Sequence, residues 1–121
     1  MSELPAEAYA ATLAGLSHMH IRRLGTLLRH HPPQEAYAVL AGEAQPIGPV
    51  ATALTTPAIA TTWRREATTD RVQRVWHRCC TLGVEVLVYG SGRYPAILYD
   101  DPLPPPVLFA RGDVKIGRAH V

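Results

Sequence analysis

The stretch Gly83-Val-Glu-Val-Leu-Val-Tyr-Gly-Ser-Gly-Arg-Tyr-Pro-Ala-Ile-Leu-Tyr-Asp-Asp-Pro-Leu-Pro-Pro-Pro-Val-Leu-Phe-Ala-Arg-Gly-Asp113 decides the fold. Its two apolar runs, over 84–89 and 107–110, are short, and the first is rich in β-branched residues. Each predicts a buried strand, covered on both faces. A connector dense in proline lies between them. Upstream of Gly83 the apolar residues recur at helical spacing instead, so the period of the chain changes there.

Working outward from that change, the spacing predicts a helix over 69–82. Val72, Val75, Trp76, Cys79 and Leu82 form its inner stripe and Gly83 its stop. Arg71, Arg74 and Arg78 lie on the opposite face, a stripe that could meet phosphates, although such stripes are usually solvated. Trp63 is expected on a preceding turn or helix. Residues 42–62 hold three prolines, two glycines and many Thr and Ala, and read as a loop with one short helix over 50–54.

Three helices are expected before that loop. The first, over 4–16, carries Pro5 in its first turn and Tyr9, Leu13 and Leu16 on one stripe. The second runs over 20–30 with Ile21, Leu24, Leu27 and Leu28 inward and Arg22, Arg23 and Arg29 outward, and Pro32 and Pro33 end it. The third, over 34–41, turns Ala36, Tyr37 and Leu40 inward and stops at Gly42. Helices first and strands later give an α+β chain: a helical domain over 1–82 and the opening of an α/β domain over 83–114.

The final residues, Ile116-Gly-Arg-Ala-His-Val121, resemble the in-frame translation of a sequencing adapter, with Lys115 at the junction. The stretch 115–121 is therefore expected to be a non-native tail. The chain has twelve Lys and Arg against ten Asp and Glu, a formal charge of +2. Removing Lys115 and Arg118 leaves ten against ten, so the basic balance is no argument for nucleic acid. No apolar run approaches the roughly 20 residues of a membrane span, and the sequence starts without the basic and apolar regions of a signal peptide, so a cytoplasmic protein is expected.

No residues assemble into a recognisable catalytic group. Ser17 and Ser91 lack the context of an activated nucleophile, and Asp100 and Asp101 fit turn and capping roles. Cys79 and Cys80 read as inert, partly buried thiols, and His18, His20, His30, His31 and His77 as solvated or capping side chains, with no metal-binding spacing. Gly90-Ser91-Gly92 lacks the third glycine and following helix of a dinucleotide fingerprint and reads as a turn. Arg111-Gly112-Asp113 reads as a strand-end turn. Neither a cofactor nor a metal is expected, and the protein is read as a non-enzyme.

Residues 13–28 are similar in apolar spacing to a helix-hairpin-helix, which binds DNA phosphates through backbone N–H groups at a Gly-hydrophobic-Gly turn. His18 and His20 stand at the two glycine positions around Met19. Their side chains obstruct a phosphate, which favours a packing or docking role for this hairpin.

The ordered set Tyr94-Pro95, Leu98, Asp101-Pro102, Pro106-Val-Leu-Phe and Gly112 resembles the motif of the bacterial DNA-processing protein A (DprA, also called Smf) family. Leu82-Gly-Val-Glu-Val-Leu-Val resembles that family's first strand, and the helical pair over 13–28 fits its N-terminal domain. The resemblance implies a helical SAM-like, helix-hairpin-helix-like domain over 1–82, followed by the first strands of a truncated Rossmann-like domain. It also implies a protein that binds single-stranded DNA during natural transformation, protects it, helps to load the RecA recombinase, and dimerises as a full-length chain.

The motif residues Tyr94, Pro95, Leu98, Asp101, Pro102 and Gly112 read as structural: Pro95 starts a short helix that places Ile97 and Leu98 against the sheet. The family's main DNA pocket would lie beyond Val114. In this chain the candidate DNA contacts are Arg22, Arg23, Arg71, Arg74 and Arg78. With ten Arg balanced by ten acids, binding of single-stranded DNA and of the recombinase is expected to be weak or absent. Two alternatives stay open: a piece of a Rossmann-like nucleotide-processing enzyme of the phosphoribohydrolase type, and a helical protein-docking module.

Overall fold

Alanine content decides which helix becomes central. The computed structural model describes residues 4–50 and 57–111. In it the first helix, α1 (Ala6–Ala14), buries Ala8, Ala10, Ala11, Thr12 and Leu13. Five consecutive or near-consecutive buried positions cover more than one stripe, so α1 is enclosed on several sides instead of presenting the single face expected from Tyr9, Leu13 and Leu16. Small side chains let neighbouring helices approach. The one polar member, Thr12, is satisfied locally by donating to the Ala8 carbonyl at 2.8 Å.

Of the other helices, α3 (Pro33–Ala41) and α5 (Thr69–Leu82) pack against α1, while α2 (Ile21–His30) and α4 (Pro57–Glu66) lean on α3. Leu24 and Leu27 of α2 enter the core, together with Ala36, Tyr37, Val39 and Leu40 of α3. Pro33 does not merely close α2: it occupies the first turn of α3, where a missing N–H costs nothing. The helix α4 replaces part of the loop expected over 42–62, and Trp63 is its buried residue. The short helix expected over 50–54 lies largely outside the described residues.

The helix α5 has the bounds its periodicity predicts. Thr68 caps it, its hydroxyl accepting from the Arg71 N–H at 3.1 Å, and Gly83 ends it in the left-handed region at φ 70°. Val72 and Cys79 are buried, whereas Leu82 is exposed despite its place in the stripe. It stands in the last turn, beyond the reach of the packed elements. Both cysteines are free thiols, and Cys80 is exposed, unlike the partly buried residue expected.

Strands β1 (Val84–Val88) and β2 (Val107–Arg111) pair antiparallel, Val84 opposite Arg111, Val86 opposite Phe109 and Val88 opposite Val107. Val86 and Val107 belong to the same core as the helices, with Val84 and Val88 packed against it. Leu87, on the opposite face, is buried as well, together with Tyr94 of the connector. Coverage is uneven across the pair, for Phe109 remains 53% exposed. Among the described residues the fold is thus α+β, with five α-helices and one two-stranded antiparallel sheet.

The connector holds a 3-10 helix, Ala96–Asp100, with Pro95 before it. Ile97 is 79% exposed and does not pack on the sheet as expected; the tight 3-10 winding turns it to solvent while Leu98 is half-buried. Asp101 accepts from the Leu103 N–H at 2.9 Å, an Asx turn that launches the proline run. The Tyr89 N–H donates to the Pro106 carbonyl at 2.8 Å, which ties that run back to the end of β1.

Candidate nucleic-acid interface

Three cation-bearing surfaces carry the residues singled out above. The first is the turn between α1 and α2. His18 adopts φ 64°, the left-handed conformation that a glycine would take more readily. The polar groups of this turn are spent internally. Ser17 donates its N–H to Glu66 Oε1 at 3.0 Å and its hydroxyl to Oε2 at 2.6 Å, while the Trp63 indole N–H donates to the Ser17 carbonyl at 2.6 Å. The Ser17 hydroxyl bond is the main reason that the Glu66 carboxyl is held below its ordinary value. A carboxylate therefore sits where a hairpin of the phosphate-binding kind would offer amides, and it repels an incoming phosphate.

Arg23 belongs to the same turn. Its guanidinium donates to the His18 carbonyl at 2.6 Å. His20 caps α2, Nδ1 accepting from the Arg23 N–H at 3.4 Å. His31 departs from the solvated role expected of it, being almost wholly buried. Among the described residues no three His, Cys, Asp or Glu side chains gather as metal ligands do.

The second surface is the outer face of α5. Arg74 pairs with Asp70 at 2.8 Å across one turn, and Arg71 reaches Glu66 at 3.6 Å. Two members of the stripe are thereby neutralised by acids of the same chain. Arg78, exposed and beside His77, makes no ion pair among the described residues. One unpaired guanidinium on a shallow face is a poor phosphate site.

The third surface is a groove of about 650 Å³ between α2 and the proline run over 102–106. Arg22, Gly25, Thr26 and Arg29 line it from the helix, and Tyr89, Leu103 and Pro106 from the other wall. Arg22 and Arg29 are exposed, form no ion pair among the described residues, and share the groove with no acidic side chain. They stand two turns apart on α2, and the Arg29 guanidinium reaches back along the helix to within 3.6 Å of where a Gly25 Cβ would stand, so both cations border the groove. Gly25 faces Pro106: a Cβ there would stand 3.7 Å from the proline ring, so the gap between α2 and the proline run at the groove floor is about one methyl group deep.

Of the five arginines named from the sequence, the structure brings only Arg22 to this groove. Its companions, Arg29 and Tyr89, were not among the candidates. Arg29 could have been found from its spacing, since it lies two turns beyond Arg22 on one helix. Tyr89 had no such signal, because the groove wall it forms comes from the other end of the chain. The motif residues Tyr94, Pro95, Leu98 and Asp101 lie in the connector, Pro102 at the groove edge, and Gly112 outside the described residues.

No protein-family model, no curated protein and no solved structure matches the chain. No described helix is long and apolar enough to cross a membrane.

Proposed function

We propose that the chain is the N-terminal part of a single-stranded DNA-binding recombination mediator of the DNA-processing protein A type. Such a mediator is non-enzymatic: it protects strands taken up during transformation and loads RecA onto them, in the cytoplasm and as a homodimer of the full-length protein. On this reading the helices form the SAM-like part and the β1–β2 hairpin begins a Rossmann-like part.

The observation that carries the reading is that Arg22, Arg29 and Tyr89 line one groove that, among the described residues, has no carboxylate. Cations that follow a backbone beside an aromatic face are the combination on which unpaired nucleic acid binds without sequence preference. The resemblance of the connector supports the same class.

The test is a fluorescence-anisotropy titration of the full chain with a labelled single-stranded oligonucleotide at several salt concentrations. Two phosphate contacts give a slope of log K on log salt of about −1.4, with weak affinity throughout. Arg22→Ala should reduce the slope by about 0.7, and Arg78→Ala should leave it. An affinity indifferent to salt, or a slope unmoved by both Arg22→Ala and Arg29→Ala, would overturn the reading.

A further inference from the structure

Tyr89 is about half exposed although it belongs to a tight aromatic group. Its ring meets Tyr94 at a centroid distance of 5.3 Å and Tyr99 at 5.0 Å, at interplanar angles of 73° and 69°. Both contacts are edge-to-face, a favoured arrangement for aromatic pairs. Tyr94 and Tyr99 themselves stand 5.1 Å apart, so three rings brace one another.

Both bracing rings are pinned at the hydroxyl. Tyr94 is buried and donates to the Pro105 carbonyl at 2.7 Å. Tyr99 accepts from the Gly90 N–H at 3.1 Å, a bond made possible by the left-handed Gly90 at φ 91°. Among the described residues the Tyr89 hydroxyl makes no hydrogen bond, and the ring is braced by its aromatic neighbours. Tyr89 therefore meets the groove as a preset aromatic surface beside two guanidinium groups.

Resting on the function proposed above, we propose that Tyr89 is a stacking platform for one nucleobase of a single strand whose adjoining phosphates lie on Arg22 and Arg29. Charge complementarity selects the occupant: among the described residues the groove supplies two cations and no acid, which fits a polyanion. The ring selects among polyanions, because a base offers its face only when it is unpaired. A duplex hides those faces in its own stack. An acidic peptide satisfies the arginines but has no planar group that requires Tyr89.

The experiment compares an oligothymidylate with an abasic strand of the same length, both titrated against the full chain at low salt. Tyr89→Ala and Tyr89→Leu, the latter keeping apolar bulk, should each weaken oligothymidylate binding by roughly 5- to 150-fold, the equivalent of one stacked base. Tyr89→Phe keeps the ring and should restore binding. On the abasic strand, all four proteins should bind alike.

Equal binding of the two strands by the wild type, with both Tyr89→Ala and Tyr89→Leu indistinguishable from it, overturns the stacking platform. If Arg22→Ala and Arg29→Ala still weaken both strands, DNA binding by the groove stands and only the platform falls. If neither arginine matters, or a polyglutamate peptide binds as tightly as oligothymidylate, the single-stranded DNA reading falls with it. Circular dichroism of each variant separates lost binding from lost folding.

Discussion

Glu66 holds Ser17 with both carboxylate oxygens, one on the backbone N–H at 3.0 Å and one on the hydroxyl at 2.6 Å. This pair joins the end of α4 to the α1–α2 turn across 49 residues of sequence. Trp63, one helical turn before Glu66, adds its indole bond to the same serine. A turn that resembles a phosphate-binding hairpin is thus closed by an internal anion.

The carboxyl of Glu66 is held below its ordinary value of 4.5, first by the Ser17 hydroxyl bond and then by the Ser17 amide. Its stabilising contribution is therefore fully present above pH 4.5 and is lost as pH falls through the lower folded value. Glu66→Gln should cost about 1 kcal/mol at neutral pH and should flatten the acid limb of stability. Urea midpoints measured from pH 7 down to pH 3 check this: parallel wild-type and variant curves would show that Ser17 does not hold the charged form.

His31 makes an asymmetric prediction. Its Nε2 accepts from the Ile47 N–H at 3.3 Å, so the ring proton sits on Nδ1 and is donated to Glu35 Oε2 at 3.0 Å. The imidazole is buried, whereas Glu35 is 45% exposed and can exchange its partner for water. His31→Leu leaves the Ile47 amide without an acceptor and should cost about 1–3 kcal/mol. Glu35→Ala should cost less than about 1 kcal/mol, and His31→Gln, which offers an amide oxygen, should be milder than His31→Leu. Denaturant unfolding of the three variants gives the order.

Two glycines end helices in the same conformation with different surroundings. Gly42 and Gly83 have φ 85° and 70°, but an added Cβ at Gly42 would lie 2.9 Å from Arg64 Nε, while at Gly83 it meets nothing. Alanine at either position pays about 1–2 kcal/mol for the left-handed backbone. Gly42→Ala should cost more than Gly83→Ala, and the excess should vanish in an Arg64→Ala background, because the obstacle is a movable side chain. Thermal or urea unfolding of the double mutant measures that coupling.

What the sequence made legible follows from how local each signal is. The helix α5 was readable to its last residue because its apolar repeat and Gly83 lie within one segment. The helix α4 was not, since its anchoring side chain, Trp63, finds its partner 46 residues away at Ser17 and leaves no stripe behind. His31 was misread for the same reason: the amide that keeps it buried arrives from position 47. On the surface, Arg74 and Asp70 could have been paired from their spacing of four. The groove could not be foreseen, because its cations come from α2 and its tyrosine from the end of β1.

Tyr37 links three helices, and its titration tests whether they stay together. Its ring stands edge-on to Tyr9 of α1 at 5.6 Å, and its hydroxyl donates to the Thr68 carbonyl at the start of α5 at 2.7 Å. Burial pushes the phenol from 10.0 up to about 12, against the pull of the Arg71 charge. The folded chain thus keeps a proton that the unfolded chain releases near pH 10. Stability from this group is complete below that pH and declines as pH rises toward 12. Tyr37→Phe keeps the edge-on ring and loses the Thr68 bond, so it should cost about 1 kcal/mol at pH 8. Because Phe has no proton to release, the gap between wild type and variant should narrow as unfolding is measured at pH 10, 11 and 11.5. A gap that stays constant would mean that the phenol ionises as readily in the folded chain as in the unfolded one, and would overturn this effect of burial.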